Sequence, residues 1–165
     1  MTELIVKTAG SVTLVIAAIY YGTVMICEER SKLITADAIC EMMQYVRDNI
    51  EHFMKPLPDI LASYRNDTLE KIGFLGDVRE NGMKYAQLDR YFGKNAVDGE
   101  VFAVLSDFCG KIGEGYRNDE IRRCDYAIAQ IEKRTAKMKD DFSSKAKIYR
   151  TLPPLFALSI LLILI

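Results

Sequence analysis

Charge is almost absent from both ends of this chain. All but two of its charged side chains lie between residues 28 and 150, the exceptions being Glu3 and Lys7. Thr8 to Cys27 is a run of 20 uncharged residues centred on Val12–Ile19. As a helix it rises about 30 Å, the thickness of a bilayer's hydrocarbon core. A cleaved signal peptide is disfavoured, because the residues before the run carry one Lys and one Glu and no small-residue cleavage site follows it. Ile26 stands where a lipoprotein signal needs a small residue before its cysteine. The run therefore reads as a retained transmembrane anchor over 8–27. Tyr20 and Tyr21 fall in its second half, whereas interfacial aromatics would sit better nearer Cys27.

Thr151 to Ile165 is also uncharged, and seven of its last eight residues are Leu or Ile. Alone it reaches about 22 Å. Adding Ile148 and Tyr149, with Arg150 snorkelling to the interface, brings it to about 27 Å. Pro153 and Pro154 suit the first turn of such a helix, where a missing N–H costs little. The run offers no polar face to water, so a second span over 151–165 is expected rather than a buried core helix. Positive charge then orients the hairpin. Arg30, Lys32, Lys145, Lys147 and Arg150 flank the spans on the inner side, against Lys7 alone on the outer. The segment 28–150 is expected to be cytosolic.

That segment reads as all-α. Ile39, Met42 or Met43, Val46, Ile50 and Phe53 step by three and four, marking a first helix that Pro56 and Pro58 end. A second helix is expected near Pro58-Asp59, carrying Ile60, Leu61, Tyr64 and Leu69 inward. Gly73, Gly76 and Gly82 break the next stretch into short pieces, with further helices near 83–92 and 98–112. The latter places Val101, Phe102, Leu105, Phe108 and Ile112 on one side. Gly110, Gly113 and Gly115 make a turn, with Asn118 or Asp119 as a helix cap. Beyond it lies a heptad-spaced seam: Ile121, Cys124, Ile128, Ile131, Thr135, Met138, Phe142, Lys145 and Tyr149. It marks a long last helix whose seam serves the domain's own core in preference to self-association, which stays open.

Chemistry is hard to find in this sequence. With 22 Lys+Arg against 23 Asp+Glu, the chain lacks the basic excess of a nucleic-acid binder. No phosphate-binding Gly-x4-Gly-Lys-Ser/Thr loop occurs, and Gly110–Gly115 follows no strand. Cys27, Cys40, Cys109 and Cys124 form no Cys-x2-Cys pair, so no metal or cofactor is expected, and Cys40, Cys109 and Cys124, on helical faces, read as reduced, buried thiols. His52 is the one histidine and the only base a cysteine nucleophile could use; its place near a helix end suits a plain dipole contact. The acidic pairs Glu28-Glu29 and Asp140-Asp141 read as solvated faces. No catalytic residue is assigned, and the chain is expected not to be an enzyme.

Several segments resemble one family. These are the Arg30 region after the first span, Ile50 followed by Lys55-Pro56-Leu57-Pro58-Asp59-Ile60-Leu61, Phe108-Cys109-Gly110-Lys111-Ile112-Gly113, and Lys147-Ile148-Tyr149-Arg150-Thr151-Leu152. In these and in overall layout the chain is similar to the stage III sporulation protein AB family. It departs where the family has a glutamate before the residue matched by Ile50 and this chain has Asn49. It departs again after Gly113, where Tyr116 and Glu120 stand in place of an aspartate and a glutamine.

The resemblance implies a platform-like membrane subunit of the channel complex between mother cell and forespore. Its domain would be similar to the cytosolic helical domain of type II secretion platform proteins. The implied partners are a cytosolic sporulation ATPase and other membrane subunits of the complex, with the chain in the mother-cell membrane facing the forespore. Two exposed segments are the expected contacts: the loop with Pro56, Pro58 and Asp59, and the turn with Gly113, Glu114, Tyr116 and Asp119. The alternative is a membrane-anchored regulatory or sensor protein whose helical domain binds a soluble signalling partner.

Overall fold

The computed structural model describes residues 2–83, 87–93 and 96–164; at 2–9, 11, 158 and 161–164 it describes the backbone alone. Seven α-helices and no strand occur among the described residues: α1 (Thr2–Phe53), α2 (Leu57–Ser63), α3 (Asp67–Ile72), α4 (Phe74–Asn81), α5 (Leu88–Tyr91), α6 (Gly99–Lys111) and α7 (Arg117–Leu164). The chain divides into two compact units. One holds residues 1–30 and 139–165, the other residues 31–138.

The 31–138 unit packs the inner stretches of α1 and α7 with the five short helices. Ile39, Met42, Met43 and Val46 of α1 are fully buried, as are Ile60, Leu69, Phe74, Leu75, Val101, Leu105 and Ile131. Phe74 meets Phe92 edge-on at a centroid distance of 4.9 Å, and Tyr45 lies 5.0 Å from Tyr64. Polar bonds join α1 to α7: Gln44 to Glu132 at 3.1 Å and Arg47 to Asp125 at 2.6 Å. Cys124, Ile128 and Ile131 of the heptad seam belong to this core, so the chain itself covers that part of the seam.

The short helices begin and end where local chemistry permits. Pro56 is the N-cap of α2, which starts at Leu57, slightly ahead of the expected Pro58-Asp59. Asn66 caps α3 by accepting from the Thr68 and Leu69 amides. Gly73, at φ 88°, closes α3 and opens α4, a conformation that L side chains rarely adopt.

Several expectations are corrected. Gly76 and Gly110 lie inside α4 and α6 and break neither, since one glycine costs a helix only about 1 kcal/mol. Phe53 is 65% exposed rather than inward, because α1 ends at that residue. Phe102 is only partly buried. The helix expected at 83–92 is reduced to Leu88–Tyr91, and its residues 84–86 lie outside the described residues. Neither Asn118 nor Asp119 caps the last helix, which already begins at Arg117.

The other unit holds the outer ends of α1 and α7. Gly22 is buried against Tyr149, and a Cβ added there would run into the Tyr149 carbonyl oxygen and lie 3.5 Å from Pro153 Cγ. Lys145 Nζ bonds Glu29 Oε2 at 2.8 Å. Pro153 and Pro154 do not start a helix but lie inside α7. Each lacks the N–H that would reach four residues back, so the Tyr149 and Arg150 carbonyls lose their helical donors. The part of α1 near the N-terminus is long and apolar enough to cross a membrane, alone among the described helices. Residues 158 and 161–165 of the expected second span lie outside those whose side chains are described.

Candidate interaction site

Within the 31–138 unit, the C-terminal end of α1 meets the loop into α2 and the turn into α7. The last carbonyls of any helix lack intrahelical donors and carry partial negative charge. Arg117, the first residue of α7, supplies donors here: its Nε bonds the Ile50 carbonyl at 3.2 Å, and its Nη2 bonds that of Glu51. Six residues on, Arg123 Nη1 reaches the Lys111 carbonyl at the end of α6. Two arginines of one helix thus close the ends of two others.

Glu120 lies between them and is 5% exposed. Its carboxylate accepts from the Gly113 amide at 3.0 Å and the Gly115 amide at 2.6 Å, and it pairs with Arg123 at 3.2 Å. Buried charge is tolerated when paired and hydrogen-bonded in this way. Gly113 adopts φ 86°, and a Cβ there would sit 3.5 Å from Leu57 Cδ2. At Gly115 a Cβ would come within 2.9 Å of Glu120 Oε1. Glycine at these two positions lets the turn wrap around the carboxylate and approach the α2 loop.

The two segments expected as partner contacts are therefore neighbours, touching at Leu57 and Gly113. Pro56, Pro58, Asp59, Gly113, Glu114 and Tyr116 are exposed. Asp119 is half-buried and pairs with Arg122 at 2.6 Å. Tyr116 is 87% exposed, Met54 73% and Phe53 65%. Lys55 Nζ stands 5.3 Å from the centroid of the Phe53 ring. Met54 holds a left-handed φ of 50°, unusual for a side-chain-bearing residue. Beyond the turn, α6 and α7 form an open groove lined by Ala103, Lys111, Arg122, Tyr126 and others.

Sequence reasoning missed four residues that shape this end. Phe53 was assigned to the core, and Met54 carried no signal. Arg117 and Glu120 work through backbone groups distant in sequence. Spacing alone could have flagged Glu120, an acidic residue in the first turn of a helix that follows a Gly-x-Gly.

The site offers little for covalent chemistry. No group of three or more His, Cys, Asp or Glu that could hold a metal occurs among the described residues. Burial pushes the Cys109 and Cys124 thiols up to about 12, leaving almost no thiolate at neutral pH. The arrangement instead presents exposed aromatic and apolar side chains with charged neighbours, held by a polar network around the buried Glu120. Those are features of a protein-recognition surface.

No curated protein and no solved structure matches this chain. The family model for stage III sporulation protein AB matches residues 7–165, nearly the whole length, and the chain belongs to that family.

Proposed function

We propose that this stage III sporulation protein is a non-enzymatic membrane subunit of the channel complex between mother cell and forespore. Its 31–138 unit receives a cytosolic ATPase of that complex, and its two terminal helices pack among the other membrane subunits. The observation that carries the reading is the exposed Phe53, Met54 and Tyr116 end, braced from beneath by Arg117 and Glu120. Large apolar side chains left in water on a rigid support are the usual anchors of a protein partner. Positive charge on the inner flanks of both apolar runs supports a cytosolic placement of the segment 28–150. The likeness to the cytosolic domain of type II secretion platforms is an analogy of layout, consistent with an all-α unit set between apolar helices.

Deletion of the gene in its source organism tests this. Heat-resistant spores should be lost, with development stopping after engulfment, and the full chain should restore them while residues 28–150 alone do not. A full-length Phe53→Ala/Tyr116→Ala variant should reach the membrane at normal levels yet fail to retain the ATPase in a pull-down. Normal spore counts after deletion would overturn the proposal.

A further inference from the structure

The contact between Gly22 and Tyr149 fixes the register of α1 against α7 within their own unit. Sequence alone would put the inner edge of the first span at Cys27. In that case Tyr149, level with Gly22, would lie about 7.5 Å inside the hydrocarbon. Lys147 and Arg150 flank Tyr149 on α7, and both are exposed. They would be drawn below the surface with it, at a cost that such side chains avoid by keeping near the headgroups.

The other groups at this level favour a shallower boundary. Tyr20 is 72% exposed and Tyr21 59% exposed. Along either helix, Tyr20, Tyr21, Lys147, Tyr149 and Arg150 all fall within about 3 Å of the crossing. Amphipathic aromatic rings collect at the membrane–water interface, and basic side chains there attract anionic lipid. Further from the apolar runs, Glu29 stands two turns past Gly22 and Lys145 one turn before Tyr149, and their ion pair suits a position in water. The placement of Tyr20 and Tyr21, poor for a boundary at Cys27, becomes ordinary for a boundary at Gly22.

Resting on the membrane reading above, we infer that the inner lipid boundary runs through the Gly22–Tyr149 crossing, where Tyr20, Tyr21, Tyr149, Lys147 and Arg150 form a belt that binds anionic phospholipid headgroups. The uncharged stretch left to α1 is then Thr8–Tyr21, about 21 Å long. That is short for an average bilayer, so the bilayer thins around the protein.

Cys27 makes the boundary measurable in the natural protein, because it is exposed while Cys40, Cys109 and Cys124 are buried. The full chain is placed in nanodiscs containing about one-third phosphatidylglycerol in phosphatidylcholine and treated with a membrane-impermeant maleimide. Cys27 should react nearly as fast as in detergent, and Thr23→Cys in a Cys27→Ser background somewhat slower. Ile19→Cys in the same background should be at least tenfold protected. Protection of Thr23→Cys equal to that of Ile19→Cys, as a boundary at Cys27 requires, overturns the proposed boundary while leaving the membrane reading intact. A chain that does not co-elute with the discs overturns both.

Native mass spectrometry tests the headgroup preference. The chain should retain phosphatidylglycerol several-fold over phosphatidylcholine, and Lys147→Gln/Arg150→Gln should bring that ratio near one. Equal retention by the natural chain, or a ratio unchanged by the double variant, overturns the belt.

Discussion

Arg134 holds Asp98 in a two-pronged grip, Nε to Oδ1 and Nη2 to Oδ2, each at 2.9 Å. Asp98 also caps α6 by accepting from the Glu100 amide, so one carboxylate both starts α6 and ties it to α7. The Arg134 guanidinium, through that hydrogen bonding, holds the Asp98 carboxyl below the usual carboxylate range. A carboxyl lowered in the native state stabilises it fully above the unfolded value, near pH 4, and loses this as pH falls through the native value.

The matching variant is Asp98→Asn, since asparagine keeps the helix cap while removing the charge. At pH 7 it should lose about 1.5–3 kcal/mol, the range for hydrogen bonds to charged groups. Thermal unfolding of the full chain in detergent, followed by circular dichroism, should show the gap narrowing as pH drops below about 4. A constant gap down to the lowest pH would mean that the pair contributes nothing.

Glu120 supports the turn from beneath, so its removal should loosen the turn more than it harms the fold. Glu120→Ala leaves the Gly113 and Gly115 amides without their acceptor and should cost about 2 kcal/mol. Hydrogen exchange should report it locally: both amides speed up at least tenfold while those of α6 keep their protection. Unchanged exchange at the two glycines would show that the carboxylate does not hold the turn.

Much of this was legible in the sequence for physical reasons, and the remainder was not for equally physical ones. Periodicity reported Ile39, Met42, Val46, Cys124, Ile128 and Ile131, because a buried helix stripe must repeat near 3.6 residues. The same rule carried Phe53 inward, since periodicity does not know where covering elements stop. Proline marked the end of α1 correctly at Pro56, yet Pro153 and Pro154 lie inside a helix that continues past them. The two contact segments, 56–59 and 113–119, were visible as proline and glycine punctuation. Their meeting at Leu57 and Gly113 was not, because it depends on tertiary packing. Arg117 was silent because its partners are backbone carbonyls, which carry no residue signature, whereas Glu120 had only its spacing after Gly-x-Gly to give it away.

Met54 separates stability from recognition. A left-handed φ costs a side-chain-bearing residue about 1–2 kcal/mol and glycine almost nothing. Part of that gain is lost to the greater freedom of glycine in the unfolded chain. Met54→Gly should therefore stabilise the full chain by about 0.5–1 kcal/mol in a denaturant titration. If the exposed side chain anchors the ATPase, the same variant should bind it more weakly. A variant both more stable and fully competent in binding would remove Met54 from the interface.

Gly22 should tolerate no side chain. A Cβ there meets the Tyr149 carbonyl, whose usual helical donor Pro153 has abolished, so neither partner can yield by moving a side chain alone. Small residues allow such close backbone approach between helices in lipid. Gly22→Leu should push α1 and α7 apart in their shared unit. In the full chain carrying Cys27→Ser, Glu29→Cys and Lys145→Cys, joined by a short bismaleimide, the cross-link yield should fall by more than half when Leu replaces Gly22. The core of the 31–138 unit contains neither Gly22 nor Tyr149, so its near-ultraviolet circular dichroism should stay as before. An undiminished cross-link would mean that the helices meet without needing this glycine, and the lipid boundary drawn through it would lose its geometric basis.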